Sequence, residues 1–152
     1  MCIRDSYKAA LDGKRVLLIT GGVKSWSVVA ALQEIGMEVV GTSTKKSTAE
    51  DKQRLKEIMG EDAHMFDELA PREMYKILKE ARADIMLSGG RSQFVALKAK
   101  MPWMDVNQEK HHAYAGYVGM VAMVKEMHKA LFSPIWAQVR MAAPWELSLI
   151  HI

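Results

Sequence analysis

Five short apolar segments alternate with segments of helical periodicity along most of this chain. The apolar segments predict strands at residues 15–20, 37–42, 63–66, 83–87 and 103–106. Because their apolar residues are mostly continuous rather than alternating, these segments are typical of strands buried on both faces. The intervening segments predict helices at 25–35, 47–59, 71–82 and 92–100, and a further helix is predicted at 117–131.

Several predicted helices carry recognisable end signals. Ser47 and Glu50 fit a capping box, in which two side chains bond free backbone N–H groups of the first turn. Pro71 suits a first helical position, and Gly36 suits the residue after a helix. Strands that alternate with helices predict a parallel sheet built from right-handed βαβ units. The predicted fold class is therefore α/β, a Rossmann-like parallel sheet of about five strands flanked by helices.

The composition is that of an ordinary globular protein. The chain has 152 residues, of which 49% are hydrophobic and 26% are charged, and its net charge is +3. This charge is too small to indicate nucleic acid as a partner, and no apolar run is long enough to predict a membrane span. Cys2 is the only cysteine, so the chain is expected to form no internal disulfide and to hold no metal cluster by itself.

With one choice of codons, the two ends of the chain can be encoded by complementary DNA strands. Back-translation of residues 1–6 gives a DNA segment whose reverse complement encodes residues 147–152, and this DNA resembles a transposon end used in sequencing-library preparation. We expect both hexapeptides to be translated adapter, so that Cys2 is not native and the native protein continues beyond both ends. Residues 7–132 then form the α/β domain, and residues 133–146 form an irregular tail that packs on another surface. A different codon series in the source DNA would refute this interpretation.

Two predicted strand ends carry paired glycines followed by a cation. Gly21, Gly22 and Lys24 follow the first strand, and Gly89, Gly90 and Arg91 follow the fourth. Glycine lets the backbone approach a ligand closely, and the next helix presents free N–H groups there. The pattern predicts a pocket for a phosphate, an organic acid or a negatively charged metal cluster, although paired glycines also occur in ordinary tight turns. Neither a dinucleotide fingerprint nor a Walker sequence is present, and no catalytic residue is predicted.

Longer motifs at these loops resemble the nitrogenase component 1-like family, and within it the scaffold subunits of iron–molybdenum cofactor biosynthesis. The matching segments, in chain order, are GGVKSWSVV, GTSTKKSTAEDK, GEDA, SGGR, DVNQE, HAYAGY, SPIW and APW. They cover nearly all of the chain between the two terminal hexapeptides. The resemblance implies one domain of a larger cytoplasmic protein that assembles a cofactor rather than reducing nitrogen.

The resemblance also implies a cargo and partners. Such a scaffold pairs with a homologous N subunit as a heterotetramer and accepts an iron–sulfur–carbide precursor from a donor protein. The precursor gains molybdenum and homocitrate with help from the nitrogenase iron protein. An acceptor protein then receives the finished cofactor, which is passed on towards apo-nitrogenase. The cysteines that ligate clusters in the family lie in earlier domains, so this chain alone is expected to bind no cofactor stably and to contribute no metal ligand.

Five positions match cofactor-binding positions of the family. Gly21 and Gly22 match a glycine pair beside the cluster, and Lys24 falls where the nitrogenase α subunit has an arginine near its cofactor. Arg91 falls where that subunit has a lysine facing homocitrate. Asn107 falls where the same subunit has the histidine that ligates molybdenum. A carboxamide is a poorer metal ligand than imidazole. This difference leads to the hypothesis that the scaffold holds its cargo less firmly than nitrogenase does.

Three other interpretations remain open from the sequence. The chain could derive from the scaffold of the vanadium nitrogenase or from another component 1-like subunit. It could instead belong to a Rossmann-type enzyme that binds a phosphate or nucleotide-sugar ligand, for which Glu109 is the one candidate acid or base. A third interpretation is an interaction module that docks a partner through Trp136 and Trp145.

Overall fold

A computed structural model describes residues 3–21, 25–60, 64–107, 114 and 116–143 of the chain. Several residues singled out from the sequence lie outside these ranges. They are Cys2, Gly22, Lys24, residue 63 of the predicted third strand, Glu109, Trp145 and the terminal segment 147–152.

Five strands and seven α-helices occupy the described ranges. The strands are β1 (Arg15–Ile19), β2 (Glu38–Ser43), β3 (Met65–Phe66), β4 (Ile85–Ser88) and β5 (Trp103–Asp105). The helices are α1 (Ile3–Leu11), α2 (Ser25–Glu34), α3 (Ala49–Met59), α4 (Pro71–Glu80), α5 (Gln93–Lys98), α6 (Gly116–Leu131) and α7 (Ile135–Arg140). A 3₁₀ turn at Gly90–Ser92 precedes α5. Within the described ranges, none of the helices combines the length and apolar character needed to cross a membrane.

All five strands are parallel, in the order β3-β2-β1-β4-β5. The first strand, β1, is therefore central. Strands β2 and β3 lie on one side of it, and β4 and β5 lie on the other side. The switch point of this topology lies between β1 and β4, where open α/β sheets bind ligands at the carboxyl ends of the strands. The predicted α/β class and the parallel sheet are confirmed.

The sheet is covered by helices on both faces, which gives the domain two hydrophobic layers. One layer joins Leu18 of β1 to buried side chains of four helices, among them Leu32 of α2 and Met127 of α6. The other layer joins Leu17 of β1 to α4 and α5, through residues such as Leu78. Adjacent residues of β1 thus enter opposite layers, which explains why its sequence is apolar without alternation.

Both ends of the described chain are more helical than expected. The sequence pattern predicts a domain that begins at residue 7 and no helix before β1, but α1 spans Ile3–Leu11. Leu11 is fully buried, and the ring of Tyr7 packs edge-on against His128 of α6 at 5.0 Å between centroids. The expectation of an irregular tail is wrong over Ile135–Arg140, which form α7.

The tail folds back onto the domain through two hydrogen bonds. The indole Nε1 of Trp136 donates to the carbonyl of Ala130 in α6 at 2.8 Å. The guanidinium Nε of Arg140 donates to the carbonyl of Lys100, just beyond α5, at 3.2 Å. Both carbonyls lie at the carboxyl end of a helix, where backbone acceptors have no partner within the helix, so α7 satisfies groups that would otherwise need water.

The cap of α3 lies one residue later than predicted. Thr48, not Ser47, is the N-cap residue, and its hydroxyl accepts a hydrogen bond from the backbone N–H of Asp51 at 3.1 Å. The Asp51 carboxylate accepts in return from the Thr48 N–H at 3.0 Å. The hydrogen bonds that the Thr48 N–H and the Thr48 hydroxyl donate to this carboxylate hold the pKa of Asp51 below its ordinary value, because they favour the ionised form.

Candidate functional site

An open pocket of about 420 Å³ lies at the switch point, between the carboxyl ends of β1, β4 and β5. Its walls are formed by Ile19, Thr20, Gly21, Gly89, Gly90, Arg91, Ser92 and Asn107. Three of the five predicted binding residues, Gly21, Arg91 and Asn107, therefore surround one pocket. They come from three separate loops, which only the folded sheet brings together.

The β1 side of the pocket is a tight turn centred on Gly21. This residue has φ +80°, a conformation that favours glycine, and apart from its chain neighbours no described residue lies within 4 Å of the position a Cβ would take. Its N–H donates to the Ser43 hydroxyl at 2.9 Å, and its carbonyl accepts from the Lys46 N–H at 2.9 Å. The turn after β1 is thus fixed to the turn after β2 while its surface stays open.

Buried hydroxyl groups hold these two turns in place. The Ser25 hydroxyl, at the start of α2, donates to the Ser43 carbonyl at 2.9 Å. Since that bond uses the Ser25 hydrogen, the Thr20 hydroxyl donates to Ser25 Oγ at 2.7 Å. Ser25 is completely buried. This positioning network is not among the features predicted from the sequence, where hydroxyl residues at the ends of β1 and β2 are its only signal.

The β5 side of the pocket depends on a close contact between Gly89 and Asn107. A Cβ on Gly89 would lie 2.8 Å from Nδ2 of Asn107, so only glycine leaves room for the amide in its present position. The backbone N–H of Asn107 donates to Asp105 Oδ1 at 2.8 Å, which fixes the loop after β5. Nearby, the Trp103 indole donates to the buried Ser88 hydroxyl at 2.7 Å and joins β5 to the end of β4.

Arg91 supplies the positive charge of the β4 side. It lies in the 3₁₀ turn Gly90–Ser92 directly after β4, and its side chain is exposed at the pocket rim. Within the described part of the chain, no carboxylate lies within ion-pair distance of Arg91. The guanidinium is therefore free to bind an anion, and its planar fork suits carboxylates and phosphates.

The described lining residues of the pocket offer a positive charge and hydrogen-bonding groups. Among the described residues, no three His, Cys, Asp or Glu side chains are grouped so as to hold a metal ion. The groups around the pocket are a guanidinium, a carboxamide and backbone turns rich in glycine. Such a surface suits a large anion that is held through its outer atoms. Gly22 and Lys24 lie outside the described residues, and the binding role of all five residues stays a prediction.

The fold and the pocket define a class of protein: a doubly wound parallel α/β domain with an anion-suited pocket at its switch point. The model of the family described as nitrogenase component 1 type oxidoreductase matches residues 2–132. The chain therefore belongs to the nitrogenase component 1 family.

Curated relatives extend the match over nearly the whole chain. A protein of Bradyrhizobium diazoefficiens, named nitrogenase iron-molybdenum cofactor biosynthesis protein NifE, is 67% identical over 140 residues, which are 92% of this chain and 26% of the relative. A protein of Klebsiella pneumoniae with the same name is 49% identical over 139 residues, covering 91% of this chain and 30% of the relative. The chain thus spans less than a third of the length of these relatives.

A solved structure supports the fold independently of these names. The structure described as nitrogenase Cp1 at pH 5 superposes with a TM-score of 0.76 and covers 94% of this chain and 35% of that one. The sequence identity is 19%, so this likeness shows the fold alone.

Proposed function

We propose that this chain is part of a scaffold subunit on which the precursor of the nitrogenase iron–molybdenum cofactor matures. The switch-point pocket forms one wall of the site that holds the precursor, which is the cargo of the protein and is anionic. The observation that carries the proposal is the position of Gly21, Arg91 and Asn107 around one pocket. The names of the curated relatives give the biosynthetic context.

Each wall of the pocket has a distinct part in this function. The Gly21 turn lets the cargo approach the backbone closely, and Arg91 attracts its negative charge. The cargo is an iron–sulfur–carbide cluster that gains molybdenum and homocitrate, and its covalent ligands come from other domains of the longer protein. The full scaffold is a cytoplasmic heterotetramer with a homologous N subunit. It works with the nitrogenase iron protein and with the proteins that donate the precursor and accept the product.

Asn107 is suited to temporary holding of this cargo. Its amide packs on Gly89 and can donate hydrogen bonds, but a carboxamide binds a metal ion less strongly than imidazole. In the full-length scaffold complex, Asn107→His should therefore slow transfer of the finished cofactor to apo-nitrogenase. An unchanged transfer rate would contradict this role of Asn107.

Arg91 provides the main test of the proposal. In the full-length complex, Arg91→Gln should reduce retention of the isolated iron–sulfur precursor by roughly three- to tenfold, because one charge–charge contact with a multiply charged cargo is lost. Retention is measured as iron per complex after gel filtration.

Arg82 offers a matched control for this measurement. It is also exposed, but it precedes β4 whereas Arg91 follows β4, so the two arginines lie at opposite ends of the same strand. Arg82→Gln makes the same change of charge and should leave iron retention unchanged. Equal retention in the two variants would refute the proposal.

A further inference from the structure

We infer that Lys46, in the turn after β2 that is hydrogen-bonded to the Gly21 wall of the pocket, is a further binding residue for the anionic cargo. This inference rests on the proposed function. It follows from two observations. The Lys46 backbone is hydrogen-bonded to the pocket wall, and two neighbouring lysines pair with carboxylates whereas Lys46 pairs with none among the described residues.

The Lys46 backbone is attached directly to the pocket. Its N–H donates to the carbonyl of Gly21 at 2.9 Å, and Gly21 is a wall residue of the pocket. Apart from its chain neighbours, none of the described residues lies within 4 Å of the Cβ position of Gly21, so they leave the space beside it open. Lysine carries its ammonium group on a flexible four-carbon stem, so the charge of Lys46 can reach a ligand that lies over Gly21.

The turn that carries Lys46 is held firmly on its other side as well. The Thr44 hydroxyl donates to Asp67 Oδ1 at 2.9 Å, and the Ser47 N–H donates to the Thr44 carbonyl at 2.9 Å. The turn is thus fixed between the loop after β1 and the loop after β3. A residue at a fixed backbone position loses less entropy on binding than one on a free loop, which favours a binding role.

The charge of Lys46 is available, whereas those of two neighbouring lysines are not. Lys45 pairs with Glu68, and Lys52 pairs with Asp67 at 2.8 Å between Nζ and Oδ1. Lys46 is exposed, and no carboxylate of the described residues lies within ion-pair distance of it. Of these three lysines, the one attached to the pocket is therefore the one whose charge is left for a ligand.

The adjacent lysine provides a matched control for the test. Lys46→Gln and Lys45→Gln make the same change of charge in the same turn, and Arg91→Gln serves as the reference for the pocket. The experiment uses the full-length scaffold complex, with the isolated iron–sulfur precursor as probe and iron per complex after gel filtration as readout, over a series of salt concentrations. Circular dichroism checks that each variant is folded.

Lys46→Gln should weaken retention about fivefold at low salt and make retention less dependent on salt, because a charge near the cargo is lost. Lys45→Gln should change retention less than twofold. Equal effects of the two lysine variants would overturn the inference. A loss of retention in Arg91→Gln with none in Lys46→Gln would overturn it as well and leave the proposed function intact. No loss in either of these two variants would refute the proposed function itself.

Discussion

The contact between β2 and β3 leaves no space for a side chain at Gly41. A Cβ on Gly41 would lie 2.6 Å from Cε2 and 3.2 Å from Cζ of Phe66, and 3.3 Å from the carbonyl oxygen of His64. The same carbonyl accepts the hydrogen bond from the Thr42 N–H at 3.0 Å that joins the two strands. Gly41→Ala therefore tests whether close packing of the Phe66 ring on bare backbone holds the two-residue strand β3 in place.

The expected loss of stability follows from these distances. The Phe66 ring must move by roughly 0.8 Å to reach an ordinary contact distance, and overpacking of this kind destabilises by about 1–3 kcal/mol. Alanine in a strand recovers roughly 0.5–1 kcal/mol relative to glycine, because the unfolded chain loses conformational freedom. Central values of about 2 and about 0.75 kcal/mol leave a net loss in the free energy of unfolding of about 1 kcal/mol, which lowers Tm by roughly 2–4 °C in a chain of this length.

A double-mutant cycle identifies the cause of this loss. Thermal and urea unfolding are measured for the parent chain, Gly41→Ala, Phe66→Leu and the double variant. Leucine lacks the ring atoms that meet the new methyl group, so the double variant should be about 1 kcal/mol more stable than the sum of the single losses predicts. If the two single losses add, or if Gly41→Ala is as stable as the parent chain, contact with the Phe66 ring is not the cause of the loss.

Two further predictions concern the site and its supporting turn. Gly89→Ala should move the Asn107 amide and reduce precursor retention by the full-length complex. It should lower the free energy of unfolding by less than about 1 kcal/mol, because the clash involves the free end of an exposed side chain. A large drop in Tm would contradict this expectation. Hydrogen bonds from Lys52 and Thr44 hold the pKa of Asp67 below its ordinary 3.8. The resulting stabilisation is present above pH 3.8 and is lost as the pH falls through the lower pKa of the folded state. Asp67→Asn should therefore destabilise the protein at pH 7 and flatten its stability profile below pH 4, as measured by urea unfolding across pH, and an unchanged profile would contradict the role of Asp67.

The parallel sheet and the grouping of Gly21, Arg91 and Asn107 at one edge of it were predictable from simple rules. A strand buried on both faces has a continuous apolar sequence, and β1 and β4 show this clearly. The carboxyl ends of parallel strands share one edge of a sheet, so Gly21, Arg91 and Asn107 could be grouped without knowledge of the strand order.

The features that were missed depend on contacts between distant parts of the chain. Helix α1 is stabilised by packing on α6, and α7 by hydrogen bonds to carbonyls of other elements, neither of which leaves a periodic signal. The cap of α3 was placed one residue early because two hydroxyl residues, Ser47 and Thr48, are each followed three residues later by a carboxylate. The local sequence does not decide between two overlapping capping boxes.

The close approach of Asn107 to Gly89 also bears on how this site can change during evolution. A methyl group at position 89 fits only if residue 107 becomes shorter or turns its side chain away from β4. The two positions are thus expected to covary among relatives, and a lineage that gains a stronger metal ligand at position 107 is expected to keep glycine at position 89. If the proposed function holds, the strength with which residue 107 binds a cluster is thus constrained by the glycine at position 89.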